Sequence, residues 1–453
     1  MNDKLTVIIL ARNELDMTKL CLQSLHLFIG IDNYEVILVD NHSEDGTYQW
    51  ACQQEGISVA SFDDELKPWG LAINLVKKEF QVENDILLTP AWCAVTGGCI
   101  GRMLELTDRF QIVGCTCNES GNANFKACRR IADYRDALVY AEEILTEQES
   151  ETSMGLSASP VWFSKSVFDE VGDFDENIYN LSNVYTDYSL RLLEKDIKVA
   201  VARRAFCYAM GKEVKADSNI ERDLDRLRVK YDSHYFNLTP NSFITGLIAE
   251  DAGRSGKKNI KVLEIGCDMG ATLYDIKQKM PGAELYGCEL NKAAARVAGY
   301  FSNTVVGNIE EGRLPFQEGF FDYIIFGDVL EHLRDPKAAL IYVKKLLGSG
   351  GKVVASIPNL MNISVIMELL KGNFTYTETG LLDKTHIHFF TYNEIMKIFD
   401  EAGYSDLNIT YLDTRLGNEE EELINKLTEI EPEAKEFMYR AFQYLAIAGG
   451  SEN

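Results

Sequence analysis

Long apolar runs that end in polar or acidic residues recur in the first half of the chain. Two such runs are Leu5–Ala11 and Tyr34–Asp40, and a third lies near residues 57–62. Apolar residues at helical spacing, such as Leu22 and Leu25, separate the first two runs. Continuous apolar runs are typical of strands buried on both faces, and strands that alternate with helices predict a parallel sheet. The first half is therefore expected to be an α/β domain that binds its ligands at the carboxyl ends of the strands.

The second half repeats this alternation of strands and helices. Its expected strands are, in chain order, Lys261–Ile265, 283–288, 304–306, 321–326 and 352–357. Glu289, Asn308 and Asp328 follow the second, third and fourth of these strands. We therefore predict a second α/β domain with a polar ligand site at the carboxyl edge of its sheet.

The segment between the two halves is polar and charged. Ile220, Leu224 and Leu227 nevertheless recur in it at helical spacing, which predicts a short connecting helix. The sequence thus divides into a first domain, a helical linker and a second domain, over residues 1–211, 212–228 and 229–453.

Composition limits the partners and the cellular location. The 453 residues include 45 Lys and Arg against 70 Asp and Glu, giving a net charge of −25. Such a chain repels polyanions, so we expect no nucleic-acid partner. The ten cysteines include no Cys-x-x-Cys spacing, which indicates reduced thiols and a cytoplasmic protein. No apolar stretch reaches the roughly 18 residues that a membrane span needs, and the oligomeric state stays open.

The most informative stretch is VLEIGCDMGATL, residues 262–273. A strand, two glycines (Gly266 and Gly270) and a helix start predict a turn whose backbone can approach a nucleotide-like ligand. Glu289 can accept both hydroxyls of a ribose. The turn alone would also suit NAD, but it lacks the close Gly-x-Gly-x-x-Gly of a dinucleotide site. The acidic or amide residues after the following strands favour S-adenosylmethionine.

The second half resembles class I S-adenosylmethionine-dependent methyltransferases over about residues 229–449. The motifs that carry the resemblance occur in order as VLEIGC, YGCEL, GNIEEGRLPF, FDYIIFGDVLEHLRDP and GKVVASIPN. The closest match is to a branch that also carries GLLDKTHIHFFT, residues 380–391, and that includes sugar and small-molecule methyltransferases. The resemblance implies a Rossmann-like fold and S-adenosylmethionine as the cofactor.

The resemblance also implies which residues bind this cofactor. They are Glu264, Gly266 and Gly270 at its methionine end, Glu289 at its ribose, Asn308 and Ile309 at its adenine, and Asp328 beside its sulfonium. Asp268 departs from the pattern, since the family commonly has a third glycine there. Asp tolerates a left-handed backbone better than most residues, so we expect cofactor binding to survive this departure.

Methyl transfer to a hydroxyl group needs a group that removes the proton. His332 and His386 are the catalytic candidates, because an unperturbed imidazole titrates near neutrality. A hydrogen bond at a helix start is the structural alternative for His332. His388 shares a face with His386 if the segment is extended. A structural role is the preferred interpretation for His388, and a His-x-His metal site is the least favoured one.

The first half resembles the family 2 glycosyltransferases of the GT-A fold over about residues 1–211. The matching motifs are VIILARNE, EVILVDNHSEDGT, GLSASPVWFSKSVFDEVGDFDENI and TDYSLRLLEKDIKVAVA. The resemblance implies that a nucleotide-sugar donor would be bound by Arg12, Asn13, Glu14 and Asp40. It also implies that Asp187 stands where the family has its general base.

The first half departs from this family at the metal site. The family holds a divalent cation with an Asp-x-Asp or Asn-x-Asp after the next strand, and the best register puts Ala91 at the metal-binding aspartate. A second register uses residues 83–85 (Glu-Asn-Asp) but shortens the preceding helix and strand too much. The later histidine ligand is also missing from residues 206–210. The domain is therefore either a metal-independent transferase or, as we slightly prefer, a degenerate domain kept for acceptor binding or assembly.

These observations predict an S-adenosylmethionine-dependent O-methyltransferase that acts on a sugar or glycan, including a lipid-linked one, in surface-polysaccharide assembly. Two alternatives stay open. One is a bifunctional glycosyltransferase and methyltransferase, and the other is a methyltransferase of a non-sugar small molecule with a non-catalytic recognition domain. A divalent metal in the first domain is doubtful on this reasoning.

Overall fold

The computed structural model describes residues 4–62, 64–118, 130–210, 219–232, 236–377, 379–414 and 416–450. The chain divides into two compact units, Met1–Thr239 and Pro240–Asn453. Each unit has a β-sheet with helices connecting its strands, so the predicted α/β class with two domains is confirmed. No helix within the described residues is both long and apolar enough to cross a lipid bilayer.

The first unit contains a mixed sheet, which has nine strands among the described residues. The strands are β1 (Leu5–Ala11), β2 (Tyr34–Asp40), β3 (Ile57–Ser61), β4 (Ile86–Pro90), β5 (Cys93–Val95), β6 (Ile112–Cys117), β7 (Ser150–Ser153), β8 (Val161–Phe163) and β9 (Val199–Ala209). Their order is β3-β2-β1-β4-β8-β6-β9-β5, with β7 paired to β9. The pairs β3-β2, β2-β1 and β1-β4 are parallel, so the carboxyl ends of these four strands share one edge.

Helices cover both faces of this sheet. They are α1 (Leu15–Phe28), α2 (Thr47–Ala51), α3 (Trp69–Glu79), α4 (Cys99–Leu104), α5 (Tyr134–Glu143), α6 (Lys165–Val171), α7 (Leu181–Glu194) and α8 (Asn219–Tyr231), with a 3₁₀ turn at Ile144–Thr146. Alternate residues of β1 enter different cores: Val7 and Ile9 join one, and Ile8 and Leu10 join the other. Burial on both faces explains why this strand is a continuous apolar run.

Helix α8 packs within the first unit. The carboxylate of Asp223 on α8 is buried and accepts hydrogen bonds from the backbone N–H groups of Tyr179 (2.8 Å) and Asn180 (2.6 Å). The sequence analysis predicted the helix but assigned it to a linker and started the second domain at residue 229. Residues 211–218 lie outside the described part of the chain, and the contacts of α8 extend the first unit to Thr239.

The second unit contains a sheet of seven strands in its described residues. The strands are β10 (Lys261–Ile265), β11 (Glu284–Glu289), β12 (Asn303–Val306), β13 (Phe321–Gly327), β14 (Leu347–Pro358), β15 (Tyr404–Asp413) and β16 (Ala441–Gly450). Their order is β12-β11-β10-β13-β14-β16-β15. The strands from β10 to β14 are parallel, and β16 is antiparallel to both of its neighbours. This is the Rossmann-like sheet that the sequence predicted.

Helices again connect the strands of the second unit. They are α9 (Ser242–Arg254), α10 (Ala271–Lys279), α11 (Lys292–Ala298), α12 (Pro336–Leu346), α13 (Ile363–Leu370), α14 (Tyr392–Glu401), α15 (Asn418–Ile430) and α16 (Glu436–Arg440), with 3₁₀ turns at Ile309–Glu311 and Leu330–His332. The chain moves outward from β10 to β12 and then returns to β13 on the other side of β10. This reversal makes the carboxyl ends of β10 and β13 a topological switch point, where open α/β sheets bind their ligands.

The docking of α8 can be tested with two aspartates of the same helix. We expect Asp223→Ala to lower the free energy of unfolding of the first unit by about 2–3 kcal/mol, because two backbone N–H groups lose a buried, charged acceptor. Asp225→Ala removes an exposed carboxylate that pairs with Arg228, and should change it by less than about 0.5 kcal/mol. All four tryptophans lie in the first unit, so tryptophan fluorescence during urea unfolding follows that unit. Equal effects of the two substitutions would contradict the docking of α8.

Candidate functional site

The turn after β10 contains three residues in the left-handed region of backbone conformation. They are Gly266, Asp268 and Gly270, with φ angles of 66°, 47° and 82°. A Cβ atom at position 266 would lie 2.7 Å from Cγ2 of Val329, and one at position 270 would lie 2.9 Å from Cζ of Phe301. Both positions therefore require glycine, whereas Asp268 takes up the left-handed backbone with a side chain.

Glu289 ends β11 beside this turn. One of its carboxylate oxygens accepts a hydrogen bond from the backbone N–H of Asp268 (2.9 Å), and the other accepts one from that of Asn291 (2.8 Å). These two bonds orient the carboxylate, and each oxygen keeps a lone pair for a further donor. The side chain is thus able to accept two hydroxyl groups, as the predicted role at a ribose requires.

Glu264 is a buried carboxyl group on β10. It is 5% exposed, and its Oε2 atom has no hydrogen-bond partner among the residues that the structure describes. Burial, with smaller contributions from the negative charges of Asp268 and Glu289, raises the pKa of Glu264 to about 8. A buried polar atom without a partner is unfavourable, and an ammonium group would supply the missing partner. Glu264 therefore fits the amino group at the methionine end of S-adenosylmethionine.

The edge at which β12 ends carries the two residues predicted to bind adenine. Oδ1 of Asn308 accepts a hydrogen bond from the backbone N–H of Glu310 (3.0 Å), and this bond caps the 3₁₀ turn Ile309–Glu311. Ile309 is buried at the start of that turn. Because β11 and β12 are parallel, both residues lie at the same sheet edge as Glu289. Their contact with adenine stays a prediction.

Asp328 directly follows β13 and has a left-handed φ of 56°. Its carboxylate accepts hydrogen bonds from the Ser356 hydroxyl (3.1 Å) and from the side-chain amide of Gln443. Desolvation by the surrounding protein raises the pKa of Asp328. Neither supporting residue was predicted, because they lie on β14 and β16 and only the folded sheet brings them next to Asp328, although Ser356 belongs to the GKVVASIPN motif. Neighbouring strands thus fix the residue predicted to lie beside the sulfonium.

A cluster of Glu331, His332 and His386 lies after Asp328. Glu331 and His332 belong to the 3₁₀ turn, where Glu331 is 0% exposed and His332 is exposed. The ring centroids of His332 and His386 are 4.8 Å apart, and Nε2 of His386 is 4.0 Å from Oε1 of Glu331. The structure therefore brings both predicted catalytic histidines together. It adds Glu331, which the sequence analysis did not single out although the spacing Asp-x-x-Glu-His places it one turn beyond Asp328.

Backbone bonds attach the loop that carries His386 to the 3₁₀ turn. The N–H groups of Ile387 and His388 both donate to the carbonyl oxygen of Glu331 at 3.0 Å. Nδ1 of His332 lies 3.2 Å from the carbonyl oxygen and 3.2 Å from the hydroxyl of Thr385. Two segments that are far apart in sequence are thus held as one local structure.

His388 does not join the cluster. Its Nε2 atom lies 3.2 Å from the carbonyl oxygen of Arg334, a contact that agrees with a structural role. His386 is buried, and burial together with the charge of His332 lowers the pKa of His386. The two histidines of the His-x-His pair thus have different surroundings and do not form a metal pair.

Aromatic rings lie next to the cluster. Phe374 is 5.5 Å from Tyr376 and 5.8 Å from Phe389 between ring centroids, and Phe389 is 6.1 Å from the ring of His386. Phe374 and Tyr376 are exposed large side chains, which mark an interaction surface when they lie together. We call Phe374, Tyr376 and Phe389 the aromatic wall. The sequence analysis did not identify it.

In the first unit, the turns that follow β1 and β2 are bonded to each other. The backbone N–H of Asn13 donates to the hydroxyl of Ser43 (2.9 Å), and the N–H of Glu44 donates to Oδ1 of Asn13 (2.7 Å). The N–H of Leu15 donates to the carboxylate of Asp45 (2.8 Å). The two turns therefore form one surface at the carboxyl ends of these strands.

The residues predicted to bind a nucleotide sugar lie at that edge. Asp40 ends β2 and is buried, and burial raises the pKa of its carboxyl group. Glu14 precedes α1 and is also buried, whereas Arg12 is partly exposed. Together with Asn13, these residues are placed for the predicted role, which stays a prediction.

Ala91 lies at the same edge and provides no metal ligand. It directly follows β4, and its N–H donates to the carbonyl oxygen of Leu10 (2.9 Å) on the neighbouring β1. Residues 83–85, the alternative register, precede β4 at the opposite edge, where Asp85 accepts a hydrogen bond from the N–H of Lys165 (2.9 Å). The position that corresponds to the metal-binding aspartate thus has a methyl group.

Asp187, the predicted general base, is fully buried on α7 and surrounded by donors. Its carboxylate contacts Nζ of Lys230 (2.6 Å), Nε of Arg191 (3.1 Å) and the hydroxyl of Tyr231 (2.7 Å). Lys230 and Tyr231 belong to α8, so docking of this helix pairs the carboxylate with a second cation. The carboxylate of Asp187 is therefore paired with two cations and a hydroxyl group.

Two family models match this chain, one in each unit. A model described as a methyltransferase domain matches residues 240–409, and one described as glycosyl transferase family 2 matches residues 6–75. Residues 240–409 form a methyltransferase domain. The predicted combination of a family 2 glycosyltransferase-like region with a methyltransferase domain is thereby confirmed.

Curated relatives match the methyltransferase domain in part. An uncharacterized methyltransferase of Schizosaccharomyces pombe is 30% identical over 24% of this chain and 44% of its own length. A ubiquinone biosynthesis O-methyltransferase of Acinetobacter baylyi is 27% identical over 28% of this chain and 55% of its own. A human tRNA N(3)-cytidine methyltransferase is 27% identical over 34% of this chain and 45% of its own. The chain thus spans about half the length of these relatives, and their names indicate different substrates.

The requirement for glycine at position 266 can be tested in the methyltransferase domain. We expect Gly266→Ala to weaken binding of S-adenosylhomocysteine at least about tenfold, because the added Cβ clashes with Val329 and strains the turn. Gly319→Ala is the matched control, since Gly319 has a φ of 71° and open space around its Cβ position. The control should cost about 1–2 kcal/mol of stability and leave the affinity unchanged. Isothermal calorimetry measures both affinities, and unchanged binding by Gly266→Ala would contradict the expectation.

The buried carboxyl group of Glu264 should make stability depend on pH. Its folded pKa of about 8 lies above the ordinary value of about 4.3, so between these pH values the folded state holds a proton that the unfolded state has released. Stability of the wild-type methyltransferase domain should therefore decrease relative to Glu264→Gln as pH rises from 5 to 8, by at most about 1.4 kcal/mol per pH unit. Differential scanning calorimetry at several pH values measures this. A constant difference between the two proteins would contradict the raised pKa.

Proposed function

We propose that this chain is an S-adenosylmethionine-dependent O-methyltransferase that acts on a sugar or glycan. The observation that carries the proposal is the buried Glu264, whose Oε2 atom has no hydrogen-bond partner among the described residues, beside the left-handed glycine turn of a methyltransferase domain. In this proposal Glu264 binds the amino group of the cofactor, and Glu289 binds its ribose hydroxyls. Asn308 and Ile309 contact the adenine.

The cofactor, when bound, supplies a methyl group on a positively charged sulfur. The residues of the chain have to align the acceptor oxygen with that methyl group and remove its proton. Asp328 lies at the switch point between β10 and β13, where the sulfonium is expected. We place activation of the acceptor hydroxyl at the cluster of Glu331, His332 and His386, because this cluster follows Asp328 directly.

The aromatic wall supports an acceptor with an extended apolar face. Phe374 and Tyr376 are exposed, and Phe389 connects them to the ring of His386. Exposed aromatic rings beside polar groups suit ligands that have both an apolar face and polar groups. A sugar ring has such a face, and so does the lipid of a lipid-linked glycan. The glycosyltransferase-like region in the same chain supports the sugar, and assembly of a surface polysaccharide in the cytoplasm is the setting we propose.

The first domain is proposed to bind a glycan or its donor without transferring sugar. Two observations support this interpretation: a methyl group at position 91 and the paired, buried state of Asp187. A divalent cation normally neutralises the leaving diphosphate, and the chain has no carboxylate at that position. A bifunctional enzyme is the second candidate function, favoured by the intact nucleotide edge with Asp40 and the two bonded turns.

Ligand-dependent stabilisation tests the methyltransferase part. S-adenosylhomocysteine should raise the melting temperature of the full chain, and NAD should not. Glu289→Ala should weaken S-adenosylhomocysteine binding about tenfold or more, because two ribose hydroxyls lose a charged acceptor. Glu284→Ala removes an exposed glutamate from the same strand and should bind as the wild type does. Stabilisation by NAD alone would overturn the proposal.

Product formation tests the acceptor and the first domain. Methyl transfer should be observed with lipid-linked or nucleotide-activated sugars. Transfer only to non-sugar phenols would contradict the proposal that the acceptor is a sugar or glycan. Hydrolysis of nucleotide sugars by the full chain, measured with manganese and with a chelator, tests the second candidate. Chelator-sensitive hydrolysis would contradict our interpretation of Ala91, and hydrolysis that Asp187→Asn abolishes would show that the first domain is catalytic.

A further inference from the structure

We propose that Glu331, His332 and His386 bind one divalent transition-metal cation in the methyltransferase domain. The three residues each offer one ligand atom, and these atoms lie within 4.8 Å of one another. Geometry and burial alone support the metal site itself. Its role in methyl transfer rests on the function proposed above.

The burial of Glu331 is the strongest evidence for a cation at this position. Its side chain is 0% exposed, and neither carboxylate oxygen has a hydrogen-bond partner among the described residues. A buried carboxylate is strongly unfavourable unless a cation or hydrogen-bond donors compensate it. Asp187 shows how the chain stabilises a structural carboxylate at the same burial, with Lys230, Arg191 and Tyr231 as its donors. Glu331 lacks such partners and faces two imidazole rings instead.

The distances suit a cation after a small contraction. Metal–nitrogen and metal–oxygen bonds of about 2.1 Å place the ligand atoms of one cation roughly 3–4 Å apart. Nε2 of His386 and Oε1 of Glu331 are already 4.0 Å apart. The 4.8 Å limit of the whole set exceeds this range by about 1 Å, so a small rotation of the side chains would close the site around a cation.

The surroundings orient His332 as metal sites usually orient a histidine. Metal-binding histidines commonly use their second ring nitrogen to donate to a carbonyl or carboxylate group. Nδ1 of His332 lies 3.2 Å from the carbonyl oxygen of Thr385. In the tautomer that satisfies this contact, Nε2 carries the lone pair that a metal requires. Thr385 is itself fixed, since Oδ1 of Asp383 accepts hydrogen bonds from its N–H (2.8 Å) and its hydroxyl (2.6 Å).

The ligand set indicates the class of cation. Two imidazoles with one carboxylate suit Mn²⁺, Fe²⁺, Co²⁺ or Zn²⁺, whereas Ca²⁺ and Mg²⁺ prefer sites made of oxygen ligands. Three protein ligands also leave coordination positions open, which is typical of catalytic metal sites. An acceptor hydroxyl can occupy one of these positions.

Such a cation would assist the transfer by lowering the pKa of the bound hydroxyl. The hydroxyl proton is released to solvent water, and the oxygen keeps the electron pair. This oxygen then forms a bond to the methyl carbon while the carbon–sulfur bond breaks and its electrons return to sulfur. The products are the methyl ether and S-adenosylhomocysteine, and the cation is unchanged.

Metal titration of three variants tests the site. The full chain, freed of metal with a chelator and desalted, is titrated with Mn²⁺ by electron paramagnetic resonance and with Zn²⁺ by calorimetry. We expect one site in the wild type that is at least about tenfold weaker in Glu331→Gln and in His386→Ala, because each has lost a ligand. His388→Ala is the matched control, since His388 is two residues from His386 but contacts Arg334, and it should bind metal as the wild type does.

Two further measurements separate loss of the ligand from loss of the fold. Glu331→Gln keeps the size of the side chain and removes a buried charge, so its metal-free form should melt no lower than the wild type. Its S-adenosylhomocysteine binding reports whether the methyltransferase domain is intact. If neither Mn²⁺ nor Zn²⁺ binding differs between the wild type and these variants, the metal site is wrong. Failure of the wild type to bind S-adenosylhomocysteine would instead contradict the proposed function.

Discussion

The site of the methyltransferase domain depends on the close approach of the turn after β10 to the chain that follows β13. A Cβ atom at position 266 would lie 2.7 Å from Val329, so this approach is available only to glycine. Glu264 precedes the turn, and Asp328 precedes Val329. Glycine at position 266 therefore allows the two strand ends that carry these residues to pack against each other. The same turn orients Glu289 through the N–H of Asp268, and the 3₁₀ turn that carries Glu331 and His332 directly follows Val329.

The two domains treat buried carboxyl groups in opposite ways. In the first domain, the carboxylate of Asp187 is paired with two cationic side chains and a tyrosine hydroxyl. In the second domain, Glu264 and Glu331 are as deeply placed but have oxygens without partners among the described residues. A structural carboxylate is compensated by the protein, whereas a binding carboxylate is left for its ligand to compensate. This difference separates the domains more clearly than their sequence motifs do.

Much of the fold and part of the site could be predicted from the sequence. Strands such as Leu5–Ala11 and Lys261–Ile265 are buried on both faces, so they appear as uninterrupted apolar runs. Glu289 and Asp328 could be predicted as site residues because each directly follows such a run at one sheet edge. These signals are local, and local signals are what a single sequence carries.

The parts that escaped prediction depend on contacts between distant segments. Glu331 has no special meaning in the sequence until His386 is placed against it by a loop more than 50 residues away. The docking of α8 escaped for the same reason, since Asp223 is an ordinary charged helix residue until it meets the N–H groups of Tyr179 and Asn180. The carbonyl partner of His388 likewise could not be named from alternation alone, because Arg334 is 54 residues away.

Two hydrogen bonds to the carbonyl oxygen of Glu331 hold the loop that carries His386. Ile387 and His388 donate to one peptide oxygen, so the loop is locked in register with the 3₁₀ turn and cannot shift by a residue without losing both bonds. Phe374 and Tyr376 are exposed, and the next residue, Thr377, is bonded to the same loop. Its N–H donates to the carbonyl oxygen of Leu382 (2.8 Å), and its own carbonyl oxygen accepts from the N–H of Lys384 (2.9 Å). The aromatic wall and the histidine cluster are thus braced by one hydrogen-bonded segment, so a substitution that loosens this segment would change recognition and chemistry together.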